Sequence, residues 1–502
     1  MDIAEQNNEI RKHPKGFYVI AFIEIWERFG YGGLHTVLAL FLTKNLGMTD
    51  AQSFSVYGTF VALVFAFMSV GGYIGDKVLG TQRTIILGAV TLMVGYFIMG
   101  LANSDITLIY AALAIVAVGN GLFKANPSSL LSKLYSKDDP RIDGAFTIYY
   151  MAINLGFLIS MIAIPYLGAR YGATFGFYVC GGGVFFAIAS FLASRKLVKG
   201  FDSPVGLEPI KYKNLLMVAV GIIITVTVST FMLQNIKVVR FLLLLVGITV
   251  VGIFFRVIFK SSGTERNQLI AAFILILEAI VFYTLSQQMP MSLNFFAIRN
   301  VEHAILGIPV GNPQSFQALN PFFIMLLSPI LAWMYTYFGK QGRDLSIATK
   351  FAVGMVCCSF SFLILSFGAK FANAQGIVSA NWLVANYFFS SLGELLISGL
   401  GLAMVAKLVS QRIVGFVMGS WFLSISAAGI IGGWVASLTA APKGITDPLQ
   451  TLPVYSNVFL EIGAVAGIIA LLMLITAPKI KHLIEKEEVV VGDSVAEDSQ
   501  GA

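Results

Sequence analysis

Apolar residues in this chain come in runs of about 20, not in polar/apolar alternation. A helix of ~20 residues covers the ~30 Å hydrocarbon core of a bilayer, whereas barrel strands are alternating segments of ~10 residues. The runs predict spans near 17–43, 53–75, 84–101, 106–131, 145–168 and 174–194. A polar, Pro-containing stretch at 195–213 follows, then two strongly apolar runs near 214–235 and 239–259 that are almost free of charge. Six more runs lie near 267–289, 317–338, 349–371, 382–408, 413–439 and 456–479. The pattern is an all-α integral membrane protein with fourteen transmembrane helices in a 6+2+6 order. Its expected parts are an N-terminal six-helix bundle (1–195), two extra lipid-facing helices with linkers (196–262), a C-terminal six-helix bundle (263–482) and an acidic, disordered cytoplasmic tail (483–502).

Composition excludes a soluble enzyme or a disordered scaffold. Of 502 residues, 57% are hydrophobic and only 12% charged, against ~25% charged in a soluble domain. Cys180, Cys357 and Cys358 lie in apolar runs without metal-ligand spacing and read as packing residues. The basic cluster Arg11, Lys12, Lys15 precedes a run containing Glu24, Glu27 and Arg28, which marks a retained first helix and not a signal peptide.

Charge then sets topology. Fourteen spans place both termini on one side. With that side cytoplasmic, 24 of the 33 Lys and Arg fall in inside segments, 7 outside, and two, Arg28 and Lys124, within spans. The net charge of +7 is therefore topological and not a nucleic-acid footprint. Removing the central pair would invert the bias of one half, so the count itself supports those helices. The two six-helix blocks suggest an internal duplication. The loop from Gly71 to Arg83 (GGYIGDKVLGTQR) resembles the loop signature of the major facilitator superfamily, and 339–344 (GKQGRD) is its weak echo in the second block.

A charge at mid-membrane costs roughly 2.5–3.5 kcal/mol on insertion scales. The first span nonetheless carries Glu24, Glu27, Arg28 and Tyr31 on one helical face, with His35 continuing the stripe. A buried ion pair that only sets helix register is one reading. Two carboxylates with one Arg leave an excess negative charge, however, which calls for a second cation or a bound proton. Lys124 in the fourth span, within GNGLFKANP, supplies that cation, or else snorkels to the cytoplasmic surface. Pro127 is expected to kink that helix. The Gly-x-Gly there follows no strand and no Walker sequence occurs, which argues against ATP-driven pumping. In the second block Glu394 is a lone central acid, and Glu278 is open between a pore role and pairing with a loop cation. Two cations in one half and an acid in the other suit a zwitterion.

Taken together these residues resemble the proton-coupled oligopeptide transporter family of the major facilitator superfamily, specifically its bacterial di- and tripeptide permeases. The match rests on EIWERFGY at 24–31, FTIYYMAINLG at 146–156, QALNP at 317–321, Gly393-Glu394 with Ser398, and GSWF at 419–422. The resemblance implies a major facilitator fold of two pseudo-symmetric six-helix bundles. It implies that Arg28 and Lys124 hold the peptide carboxylate, that Glu394 with Asn154 and Asn320 holds the amino terminus, and that Tyr31, Ser398 and Trp421 line side-chain pockets. Glu24 and Glu27, working with Arg28 and Lys124, take the coupling proton. Asn154 and Asn320 have an alternative reading as groups that satisfy broken helix backbone, and Trp421 as packing. The chain departs from many members at Gly32, His35, Ser286 and Gln287, and from animal members at Gly58 and Phe65, so coupling is expected to rest on carboxylates. His13, His303 and His482 read as solvent residues.

The expected function is proton-driven symport of di- and tripeptides into the cell by alternating access. The alternative is a proton-coupled porter for another small solute, a sugar, drug or amino acid. No span pairs a nucleophile with a base, so an enzyme is not expected, and neither is a metal, a cofactor other than protons, or a nucleic-acid partner. Membrane lipid surrounds the chain, the central pair is a candidate homo-oligomer contact, and the location is a bacterial inner membrane with both termini cytoplasmic.

Overall fold

The computed structural model describes residues 13–136, 139–343, 345–409, 413–442 and 445–485. The tail expected from 483 falls outside them beyond 485, as do Asp344 of the echo loop and Arg11, Lys12, Lys137, Arg412, Lys443 and Lys486 of the charge count.

Among the described residues fourteen long helices follow one another: α1 (Lys15–Leu46), α2 (Asp50–Lys77), α3 (Thr81–Leu101), α4 (Ile106–Lys133), α5 (Ile142–Tyr171), α6 (Ala173–Ala193), α7 (Tyr212–Gln234), α8 (Ile236–Lys260), α9 (Gly263–Ser286), α10 (Leu319–Lys340), α11 (Ile347–Gly368), α12 (Ala380–Leu408), α13 (Val414–Ser437) and α14 (Pro448–Glu485). Twelve helical stretches among the described residues are long and apolar enough to cross a membrane. The other two long helices are α12 and α1, whose central charges interrupt its apolar run. The expected all-α multi-span fold is thus present.

Two elements extend beyond their sequence limits. α9 runs on through a π-helical turn, Met289–Leu293, and a last helical segment, Asn294–Asn300. Pro290 has no N–H to give to an α-helical ladder, and the wider turn absorbs the gap. Beyond it, β1 (Ala304–Ile305) and β2 (Ile308–Pro309) pair antiparallel around Leu306 and Gly307, both at positive φ as a tight hairpin requires. α14 starts eight residues before the apolar run at 456, with Pro448 at its first position, where a missing N–H costs nothing. α4 passes through Pro127 without ending.

Chain contacts divide into two compact units, Met1–Ile236 with Val310–Phe322, and Lys237–Pro309 with Phe323–Ala502. In the first, α1 packs on α5 and α6, and α4 on α2 and α3. Small residues allow the close approach: a Cβ on Gly71 would sit 1.9 Å from the Gly121 carbonyl oxygen, and Asn126 Nδ2 donates to Gly71 O at 3.2 Å. In the second unit α11 packs on α12 and α14, and α9 on α13. α7 and α8 are the least enclosed spans: 11% of each apolar window is buried, against 67% for α2 and α4.

The linker after α6 is stapled to the α2–α3 turn. Asp202 accepts from the Thr81 and Gln82 amides at 2.6 and 3.4 Å, satisfying the start of α3. Gln82 Nε2 donates to Val198 O and Phe201 O, Ser203 Oγ to Gly75 O, and Arg83 to Val205 O and Glu208 O.

Candidate functional site

The charged face of α1 turns inward. Glu24 and Glu27 are fully buried and Arg28 is 4% exposed. Lys124 of α4 donates to Glu24 Oε1 at 3.0 Å, and Arg28 Nε lies 3.6 Å from the same oxygen. Arg28 also pairs with Glu27, its Nε donating at 2.5 Å, and Asn120 Nδ2 donates to Glu27 Oε1 at 3.2 Å. Lys124 thus reaches Glu24, and the ion pair on α1 is part of a four-group cluster. The helix periodicity aligns the three α1 residues, and Gly156 of α5 lets a neighbouring helix close over them. A Cβ there would stand 2.4 Å from Ile25 O and 2.9 Å from Arg28 Cβ.

Aromatic rings cap the cluster. The Arg28 guanidinium carbon lies 5.0 Å from the Tyr31 ring centre and 5.9 Å from that of Phe157. His35 packs against Tyr31, Tyr57 and Phe157, and its Nδ1 is buried with no hydrogen-bond partner among the described residues. A side chain at Gly32 would meet Ser160 Oγ at 2.5 Å and Phe157 at 2.6 Å, so the position has no room for a larger residue. Asn154 is buried and donates from Nδ2 to Tyr150 O at 2.9 Å, one turn back along α5. Asn320 is the second residue of α10. The segment before it joins the first unit, because Gln314 and Gln317 donate to Thr36 O of α1 at 3.3 and 3.2 Å and Asn312 to Pro165 O at 3.0 Å.

In the second unit, Glu394 of α12 is partly exposed. Gly393 beside it is held at Cys358 Sγ and Gly354 O of α11. Ser398, one turn further, shares a hydrogen bond of 3.3 Å with the Tyr283 hydroxyl of α9. Tyr283 lies edge-on to Trp421 of α13, with ring centres 6.2 Å apart. Trp421 is 2% exposed and packs on Gly401, where a Cβ would come within 2.2 Å of its ring. Glu278 is 9% exposed, its Oε2 has no hydrogen-bond partner, and no ion pair reaches it among the described residues.

The sequence profile of the POT family matches residues 82–455. The chain belongs to that family. Over 476 residues it is 52% identical to dipeptide and tripeptide permease A of Escherichia coli (strain K12), covering 95% of this chain and 94% of that one. It is 51% identical over 477 residues to the permease of the same name from Salmonella typhimurium, again with 95% and 94% coverage. The solved structure of tetrameric PepTSo2 superposes with a TM-score of 0.84 at 36% identity, over 93% of this chain and 99% of that chain.

Within this POT-family chain the structure adds three residues that sequence reasoning did not single out. Asn120 serves Glu27, Tyr149 borders Glu24, and Tyr283 links Ser398 to Trp421. Neutral polar residues are common in spans, so only the charged groups stood out from the apolar background. One expectation is refined: His13, in the loop before α1, is half-buried. Its Nδ1 is 2.8 Å from the Tyr135 hydroxyl and its ring lies 4.7 Å from Phe17. The rings of Phe17 and Tyr135 lie against it. His303 and His482 are exposed as expected.

Proposed function

We propose that this chain takes di- and tripeptides into the cell by proton-driven symport, through alternating access. The observation that carries the reading is the buried cluster of Glu24, Glu27, Arg28 and Lys124, which holds two negative and two positive charges. A peptide carboxylate added to such a neutral cluster brings one uncompensated negative charge into a site with little water. A proton on Glu24 or Glu27 restores the balance and frees a cation for the incoming carboxylate. Proton and peptide therefore favour each other's binding, and the coupling is reciprocal.

In this reading Arg28 and Lys124 take the carboxylate. Glu394, with Asn154 and Asn320, takes the amino terminus, and Tyr31, Ser398 and Trp421 shape the side-chain pockets, with Tyr283 bracing the last two. One net charge moved through a potential of 100 mV supplies about 2.3 kcal/mol, roughly 50-fold accumulation of a neutral zwitterion. The protein sits in a bacterial inner membrane with both termini cytoplasmic, as the Lys and Arg bias favours. It needs no cofactor beyond protons, catalyses no bond chemistry and takes no nucleic-acid partner. α7 and α8, the least enclosed spans, form the homo-oligomer contact, which cross-linking in membranes tests.

The test is uptake of labelled dialanine into proteoliposomes with an imposed pH gradient, with free alanine and sugars as competitors. Dialanine alone should compete. Glu24→Gln should lose pH-driven accumulation and keep peptide exchange. Accumulation that persists undiminished in Glu24→Gln contradicts the coupling assignment, and competition by a sugar contradicts the substrate class.

A further inference from the structure

A groove of about 390 Å³ opens between α2, α4 and α7, lined by Phe67, Tyr73, Ile74, Leu122, Met217 and Gly221 among others, nearly all apolar. It lies on the side of the first unit where the extra helix leans on the bundle. α7 is among the least enclosed spans of the chain, so the groove borders the region that hydrocarbon fills. A wholly apolar crevice at such a place would say nothing about its occupant. This one has a charged mouth.

At the end where α2 stops and α7 begins, two lysines extend the lining faces. Lys77 lies three and four residues beyond Ile74 and Tyr73 on α2, and Lys213 four and eight residues before Met217 and Gly221 on α7. Helical spacing sets each over the groove-lining stripe of its own helix. The Asn214 side chain donates to Val78 O at 3.1 Å, which ties the two helix ends together there. Both lysines are exposed, and neither forms an ion pair among the described residues. The acids nearby are engaged elsewhere: Asp76 with Lys133, Glu208 with Lys211, and Asp202 with the Thr81 and Gln82 amides. Arg83 adds a third positive charge, its guanidinium bonded only to carbonyl oxygens in the described contacts. The first turn of α7 lacks a side-chain cap. Tyr73 and Tyr212 are 64% and 82% exposed at the same level, the position of interfacial aromatic residues.

We infer that this groove is a binding site for one anionic phospholipid, with an acyl chain between α2, α4 and α7 and the phosphate held by Lys77 and Lys213. The lipid would complete the packing between the bundle and the extra helix. The inference does not depend on what the protein transports.

The test is native mass spectrometry of the full chain released from nanodiscs containing equal amounts of phosphatidylglycerol and phosphatidylcholine. Wild type should retain phosphatidylglycerol in preference, by roughly 30-fold for two lysines near the surface. Lys77→Gln with Lys213→Gln should reduce that preference towards unity while the chain keeps its thermal stability. A Lys196→Gln, Lys199→Gln control should not change it. Gly221→Phe, at a position where a Cβ meets nothing within 4 Å, fills the groove and should reduce retention of both lipids. Equal retention by wild type, a preference that survives the double substitution, or unchanged retention in Gly221→Phe overturns the inference. So does a groove closed by a second copy of the chain, which would give no retained lipid and disulfide cross-links through Tyr73→Cys.

Discussion

Arg28 touches more of the buried chemistry than any neighbour: Glu24 and Glu27 on its own helix and the faces of Tyr31 and Phe157. A planar fork is suited to that, since it can serve a carboxylate and stack on a ring at once. Arg28→Lys keeps the charge and loses the fork. Loss of a charge-assisted hydrogen bond, ~1.5–3 kcal/mol, should raise the KM for dialanine by roughly 10- to 100-fold. A KM within a factor of about two of wild type would remove Arg28 from the binding role. Outside the spans, the Asp139 carboxyl is held down to about 2 by Arg141, whose side chain donates at 2.9 and 2.7 Å and whose amide donates at 2.9 Å. Its ordinary value is about 3.9. A depressed carboxyl contributes stability above its unfolded value and loses it as pH falls towards the folded one. The difference in thermal stability between wild type and Asp139→Asn should therefore be flat from neutral pH to about 4 and shrink from there towards 2. A difference that grows on acidification would refute the assignment.

At the scale of helices, fit is decided by where a backbone needs to come close. Gly156 and Gly182 both lie mid-helix, in α5 and α6, but a Cβ at the first would meet Ile25 O while one at the second meets nothing. Gly156→Ala should cost about 1–3 kcal/mol by overpacking and should reduce uptake by displacing Arg28, whereas Gly182→Ala should be neutral or slightly stabilising. Thermal unfolding and dialanine uptake of the two variants check this, and equal behaviour would contradict it. The same contrast shows what the linear pattern conveys. Apolar runs reveal spans because hydrocarbon tolerates little else, and the acids and bases of α1 and α4 stand out for that reason. Where a helix starts is less legible: Pro453 and the polar residues around it obscure the first two turns of α14, and Pro290 obscures the continuation of α9. Neutral partners such as Asn120 and Tyr283 carry no mark in the sequence, because their importance comes from a neighbour on another helix.

For the molecule as a whole, the arrangement of spans makes a statement about sidedness. With cytoplasmic termini, the linker at Lys199 faces the inside and the hairpin near Glu302 the outside. Both positions are exposed. A single cysteine at Lys199 should react with an impermeant maleimide only in inverted vesicles, and one at Glu302 only in intact spheroplasts, in a background lacking Cys180, Cys357 and Cys358. The reverse labelling would invert the topology. The all-α, multi-span plan was legible from run lengths. The membership of the segment 310–322 was not, since it is set by three amide side chains that reach back to Thr36 and Pro165.

That last feature bears on how the polypeptide can be divided. Thirteen residues encoded in the later part of the chain complete the earlier unit, and Gln314 and Gln317 both spend their amides on one carbonyl of α1. Co-expressed fragments severed at 262 or at the 306–307 hairpin tip would both carry 310–322 on the later piece, so the two would have to find each other before the earlier unit could finish assembling.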